Sequence, residues 1–282
     1  MHLSKLNPHV RDKDIQFFEE GHIYIIYNNP NVKYTSTTTW VHNHFEKFDA
    51  DKIIKKMMTG KSWKQGHKYW GMTSQQIKDS WNNNGSTAGT KMHYDIECFM
   101  NNSKLNGTYS HKDLYNYYFD NTMDTSCINF DSSNLVPKEW SYFINFIRDL
   151  SDMVPYRTEW TIFHEQLKIS GSVDMVYQKP DGTIAIYDWK RCKNITKINN
   201  FNKFAIVPSI CHLPDSNFWH YALQLNIYRY ILQEKYGKIV SELCLVRLHP
   251  DAKENNYELI PVPIMEQEIN DIVALRMCIL NF

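Results

Sequence analysis

The sequence predicts a mixed α/β fold, a central sheet of mixed strand direction flanked by helices, and three observations predict it. Short apolar segments at residues 159–164, 172–177 and 183–188 follow in quick order, with Pro180-Asp181-Gly182 as a turn between the last two. A long amphipathic helix over 218–236 then stops at Gly237, and 243–249 reads as another strand. A hydrophobic content of 43%, with 14% aromatic, over 282 residues is enough to bury the core such a sheet needs. The order helix, three strands, helix, strand fits helices packed on a sheet.

The remaining elements follow in chain order. Residues 21–27 and 32–39 read as a β-hairpin around Asn28-Asn29-Pro30-Asn31. A helix begins at Asp49 or Asp51 and stops at Gly60. A short helix over 73–81 carries Thr73 as cap and Gln76 in the capping-box position. Residues 87–100 form a third helix, 101–135 a polar insertion, and 137–150 a helix with Pro137 in its first turn. Residues 257–264 read as a strand and 266–280 as a closing helix. Residues 1–86 thus make an N-terminal hairpin and basic helical region packed on a core over 87–282.

Composition excludes several classes. The formal net charge of +0 argues neither for nor against a polyanionic partner. The six cysteines, Cys98, Cys127, Cys192, Cys211, Cys244 and Cys278, are scattered without a C-x-x-C pair, which predicts reduced thiols rather than a zinc ribbon. No apolar run approaches a membrane span, and the first residues lack a signal or transit pattern, so a soluble intracellular protein is expected. No Walker A sequence is present, and no nucleotide cofactor is expected.

The informative stretch is ISGSVDMVYQKPDGTIAIYDWKRCKNI, residues 169–195, because its apolar strands carry charges. Strand side chains alternate, so Asp188 and Lys190 share a face while Trp189 points to the other. Asp174 lies on the neighbouring strand and approaches Asp188 across the pair. Two adjacent buried carboxylates repel and are costly to desolvate. Mg²⁺ or Mn²⁺ resolves both problems, polarises a phosphodiester and acidifies a bound water. Lys190 is placed to orient or deprotonate that water, or to stabilise developing charge. Taken alone, D…D-x-K also fits a surface hairpin with an ordinary salt bridge; the apolar flanks favour core strands.

The order G-x-V-D, turn, apolar-D-W-K resembles the PD-(D/E)XK nuclease superfamily in its RecB-like exonuclease branch. That branch includes CRISPR adaptation nucleases and the mitochondrial genome maintenance exonuclease. The resemblance spans about residues 87–249 and implies an αβββαβ core. It implies metal ligation by Asp174, Asp188 and the Trp189 backbone carbonyl, with Lys190 serving the water. It also matches His93 in G-x-x-x-H as a metal ligand, Glu97 one turn on, Glu159 on the first core strand as a catalytic acid, and Gln224 and Tyr228 in Q-x-x-x-Y. Each has a plainer reading: His93 as a core or surface histidine, Glu97 as an exposed helical acid, Glu159 paired with Arg157, Tyr228 as core. Gln224 amid Leu223, Leu225 and Ile227 needs a polar partner if buried. The four-cysteine pattern of cluster-bearing relatives is lacking, so no iron–sulfur cluster is expected.

The resemblance implies DNA as partner, single-stranded or with free ends, with any unwinding supplied in trans by a helicase or polymerase. Between Lys52 and Lys78 stand seven lysines and no acid, with Trp63, Tyr69 and Trp70 interleaved. Lys61, Lys64 and Trp63 suit phosphate contact and base stacking, although a solvated helix face with inward tryptophans fits equally. Arg191, Lys193, Lys197 and Lys203 follow the active-site lysine, and Lys91 precedes His93. Ser36 and Thr37, in TSTTTW, are candidate phosphate contacts, or simply part of a threonine-rich strand. An endonuclease of the same fold acting on DNA or RNA, and an inactive nucleic-acid-binding protein, are the competing readings. His93-Tyr94-Asp95 lacks the companion arginine of an oxygenase site, and SGSVD is no nucleophile elbow.

Overall fold

The computed structural model describes residues 1–21, 23–83, 86–119 and 137–281. A mixed sheet forms its centre. Strand β4 (Val154–His164) runs antiparallel along one edge of β5 (Ile169–Gln178). The other edge of β5 is shared. Strand β6 (Ile184–Lys190) pairs with its C-terminal end, from Met175↔Tyr187 to Gln178↔Ile184, and the two-residue β3 (Thr35–Ser36) pairs in parallel with Ile169 and Ser170. Neither pairs with residues 171–174, so β5 and β6 splay apart there.

A parallel neighbour to β6 requires a crossover, and α8 (Asn217–Tyr236) provides it before β7 (Val240–Arg247) pairs with β6. Gly237, at φ +60°, ends α8 in the left-handed region that favours glycine. Strand β8 (Glu258–Pro261) closes the sheet antiparallel to β7, and α9 (Glu266–Ile279) follows. Asn226, buried on α8, donates to the Pro263 carbonyl (3.0 Å) and accepts from the Met265 amide (2.9 Å), which ties α8 to the β8–α9 connection.

Alternation along the strands sorts the core into two layers. Ile184, Ile186, Leu243 and Leu245 face α8 with Leu223, Ile227 and Ile231. Ala185, Tyr187, Trp189, Cys244 and Val246 face the opposite layer. That layer is built from α5 (Ser86–Met100), α6 (His111–Phe119) and α7 (Lys138–Asp149), through Phe99, Leu114, Phe143 and Phe146. Pro137 stands immediately before α7, as its fixed φ favours. The polar insertion contains α6; residues 120–135 of it, with Cys127, lie outside the described residues. Among the described residues no disulfide forms.

In the N-terminal part, the helix expected from Asp49 is α3 (Ala50–Met58), where the Asp49 carboxylate accepts from the Lys52 amide (2.9 Å). Helix α4 (Ser74–Asn83) starts with the predicted reciprocal cap: the Thr73 amide donates to Gln76 Oε1 (2.8 Å) and the Gln76 amide to Thr73 Oγ1 (3.2 Å). The hairpin is corrected. Residues 23–26 do form β2 (Ile23–Ile26), but β2 pairs backwards with β1 (Ile15–Phe18). The threonine run becomes a helix, α2 (Thr37–His42), because Ser36 Oγ caps it by accepting from the Thr39 amide (3.2 Å) and the helix buries Trp40 and Val41. Capping and burial override the β preference of threonine. Ahead of these, α1 (His2–Leu6) packs on β4, and the Asp12 carboxylate clamps that strand by accepting from Arg157 (2.7 Å) and the Trp160 indole (3.0 Å).

Candidate functional site

The site forms where β5 and β6 separate. Past the last paired residues, the Trp189 amide donates to the Asp174 carboxylate (3.0 Å), so a side chain spans the gap the ladder leaves. The Trp189 indole is anchored on the far layer, edge-on to Phe143 and Phe146 with centroids 5.7 and 5.3 Å away. That anchor holds Asp188 and Lys190 on the opposite face. Asp188 is 1% exposed, and Lys190 Nζ lies 2.5 Å from its Oδ2 and 4.5 Å from the Tyr221 ring centroid.

His93 enters from α5. Its Nε2 lies 3.0 Å from the Trp189 carbonyl oxygen, and its Nδ1 lies 3.4 Å from Asp174 and 3.8 Å from Glu159. One ligand-type atom from each of His93, Glu159 and Asp174 falls within 4.8 Å of the others. Glu159 reaches the group from an unusual backbone, at φ +42° within β4, a position that costs about 1–3 kcal/mol for a non-glycine residue. The ladder skips it, pairing Thr158 with Met175 and Trp160 with Val173. Ser172 Oγ donates to Glu159 (2.9 Å), and Arg157 is taken by Asp12, which leaves Glu159 to the site.

The electrostatics follow from burial and crowding. Burial, reinforced by Asp174, pushes the Asp188 carboxyl up to about 6 against the pull of Lys190. Asp174 is also raised, by burial and Glu159, with His93 opposing. Burial lowers the His93 imidazole, but Asp174 and Glu159 outweigh it and bring it up to about 9. Lys190 is likewise held above its usual range, since Asp188 and Asp174 overcome its burial. The two cationic side chains therefore offset part of the acids' charge. Glu97, one turn along α5 from His93, is pushed up to about 7 by burial and Glu159, and its buried Oε1 has no hydrogen-bond partner among the described residues.

This donor set, one imidazole among carboxylates beside a main-chain carbonyl, fits Mg²⁺ or Mn²⁺. The unsatisfied Glu97 oxygen and the surplus of acids are what a divalent cation or its bound water would satisfy. A cavity of about 420 Å³ opens elsewhere, at the β5–β6 turn, lined by Gln178, Lys179, Tyr187 and Glu242 among others. None of His93, Glu159, Asp174 and Asp188 lines it.

Other predicted residues are placed differently. Gln224 has the polar partners its setting demands, donating to Thr38 Oγ1 (3.0 Å) and the Tyr228 hydroxyl (3.1 Å). Tyr228 itself is 3% exposed and does not reach a nucleic acid surface. It packs on Gly171, where a Cβ would come within 2.6 Å of the Tyr228 ring and 2.9 Å of Thr37 Oγ1. Thr37 is also enclosed, its hydroxyl donating to the Ser170 carbonyl (3.1 Å), so it is no phosphate contact. Ser36 serves as the α2 cap. Arg191 pairs with Glu139 (2.8 Å), Lys193 with Asp251 (3.7 Å) and Lys91 with Asp95 (2.5 Å). Lys61, Lys64 and Trp63 lie on the connection between α3 and α4.

Sequence reasoning missed Tyr24, Tyr221 and Thr38. Tyr221 shares a helical face with Gln224, three residues on, a signal that was available. Tyr24 of β2 comes near the acids only because the N-terminal hairpin folds there; burial, then Glu159 and Asp174, raise its phenol well above the usual range. No known family model matches the chain, and no curated protein matches it in sequence. Among the described residues no helix is long and apolar enough to cross a membrane.

Proposed function

We propose that the protein hydrolyses phosphodiester bonds of DNA with Mg²⁺ or Mn²⁺, as an exonuclease of the PD-(D/E)XK type acting on single strands or free ends. The observation that carries this reading is the convergence of His93, Glu159 and Asp174 beside the Asp188–Lys190 pair at one gap between two strands. The order of β4, β5, β6, α8 and β7, with β6 and β7 parallel, agrees with the core that the sequence resemblance implies.

In this mechanism His93, Asp174, Asp188 and the Trp189 carbonyl would hold the cation, with Glu159 completing the acidic wall. Bound there, the cation would polarise the scissile phosphate and acidify a water. His93 would ligate in its neutral form, so cation binding would be coupled to loss of its proton. Lys190 would offer an ammonium to charge developing on the phosphate oxygens. Tyr221 and the Asp188 carboxylate fix its position. Gln224, held by Thr38 and Tyr228, presents an amide beside the gap.

The test is cleavage of end-labelled linear and circular DNA, single- and double-stranded, with Mg²⁺, Mn²⁺ or EDTA. Metal-dependent loss of linear DNA is expected, reduced about 10²–10⁴-fold in Lys190→Ala and Asp188→Asn while far-ultraviolet circular dichroism stays native. Survival of circles supports an exonuclease. Binding without cleavage under either metal would leave a nucleic-acid-binding protein and end the catalytic reading.

A further inference from the structure

Seven lysines and no acid occupy residues 52–78, and the fold shows what that segment builds. Between α3 and α4 the chain turns around a cleft of about 410 Å³, lined by Met58, Trp63, Trp70, Gly71, Met72 and Thr73. The aromatic residues here divide into two sets. Trp81 is committed to structure: its indole donates to the Tyr69 hydroxyl (3.0 Å), and Phe48 packs on its edge at 5.9 Å. Trp63 and Trp70, with centroids 5.8 Å apart and planes tilted by 55°, instead line the cleft, and Trp70 remains 48% exposed.

The segment that carries this cleft is cationic. Lys78 is neutralised by Asp51 (2.6 Å), but Lys55, Lys56, Lys61, Lys64 and Lys68 are exposed and make no ion pair among the described residues. An open aromatic cleft in a lysine-rich, acid-free segment matches a flat apolar group carried on a polyanion. We infer that this cleft stacks an unpaired base of single-stranded nucleic acid against Trp63 and Trp70, while the surrounding lysines hold the flanking phosphates. A duplex keeps its base faces covered and cannot use the slot. A lipid surface calls for an apolar face presented along a helix, whereas the indoles here line a cleft between turns.

As a substrate-holding surface the cleft rests on the nuclease reading; as a binding site it stands on its own geometry. The experiment therefore measures binding in EDTA, apart from cleavage. Fluorescein-labelled oligothymidylate is expected to bind the wild-type chain and to quench tryptophan emission. Trp70→Ala and Trp63→Ala should each weaken binding about tenfold, with Trp70→Phe retaining most of it. Replacing Lys61, Lys64 and Lys68 by Gln should reduce the slope of log K against log salt by about 2. If either alanine variant fails to fold, Trp70→Phe decides: retained affinity with reduced tryptophan quenching supports the cleft, and quenching equal to wild type overturns it.

Affinity unchanged in Trp70→Ala, duplex bound as tightly as the single strand, or absence of quenching would overturn the cleft. So would binding to phosphatidylserine vesicles with none to the oligonucleotide. Tryptophan-dependent binding without cleavage would sink the nuclease reading and leave the cleft standing; cleavage with tryptophan-independent binding would do the reverse.

Discussion

His93 and His111 sit on helices of the same layer against the same sheet, and the fold treats them in opposite ways. His111 is wholly buried against Phe146 and Tyr177, with Nε2 within 3.1 Å of the Tyr177 hydroxyl, and burial drives its imidazole down to about 3. His93 is half-buried, and Asp174 and Glu159 bring it up to about 9. Burial alone makes a histidine a neutral core residue; converging carboxylates make it a cation. What separates the two is backbone. Beside His111, β5 keeps its β6 partner through Tyr177↔Ala185, whereas His93 faces the stretch where β5 no longer pairs with β6 and Glu159 takes φ +42°. Charge collects where the ladder opens, an arrangement of strain and shifted ionisation that marks functional sites.

The sharpest way to break this comparison is to add metal. A cation that binds the folded state alone stabilises it by RT ln(1 + [L]/Kd), about 2.7 kcal/mol at a hundredfold excess over Kd. Mg²⁺ or Mn²⁺ is expected to raise Tm in wild type and in His111→Gln. His93→Ala and Asp174→Asn should lose that rise. An equal rise in all four proteins, seen by differential scanning fluorimetry, would mean that the ion binds elsewhere.

The next effect lies on the other side of the comparison. Below pH 6.5 the unfolded chain protonates His111 readily, while the folded protein resists down to about 3. The unfolded state therefore binds more protons, and stability falls as pH falls through that window, by up to about 1.4 kcal/mol per pH unit. Urea unfolding between pH 4 and 6.5 should show a shallower pH dependence in His111→Gln. His164, brought down to about 4 by burial and Lys235, keeps part of the slope in the variant. An unchanged slope would show that His111 is not buried as a neutral group.

Much of the charged centre was legible. Strand alternation places Asp188 with Lys190, the hairpin brings Asp174 across, and helical spacing puts Glu97 behind His93. The opening itself was not legible, because it depends on Thr35 and Ser36 pairing with Ile169 and Ser170, far away in sequence. For the same reason Thr37 and Tyr228 read as nucleic-acid contacts when both pack against Gly171. A glycine inside a strand signals close approach of another group, and Gly171 had only that meaning: space for a ring and a hydroxyl rather than for a side chain of its own. The helix at Thr37–His42 was hidden by threonine's strand preference, which one serine cap and two buried side chains reverse.

The smallest effect tests whether the acids are held at a cost. Glu97 has a folded-state pKa of about 7, raised by burial and Glu159 above the usual carboxylate range. Between those values the folded protein binds the extra proton, so this group favours folding at low pH and the benefit is lost as pH rises through about 7. In EDTA, Glu97→Gln removes the penalty of ionising beside Glu159 and should stabilise the protein at pH 8 by about 0.5–1 kcal/mol, since solvent partly screens the residue. At pH 4.5 the two proteins should unfold together. With Mg²⁺ or Mn²⁺ present the sign should reverse, because the neutral amide of the variant no longer adds charge to a site occupied by a cation. A gain at pH 8 that persisted in metal would make Glu97 a core acid of the His111 kind, outside the centre that surrounds His93.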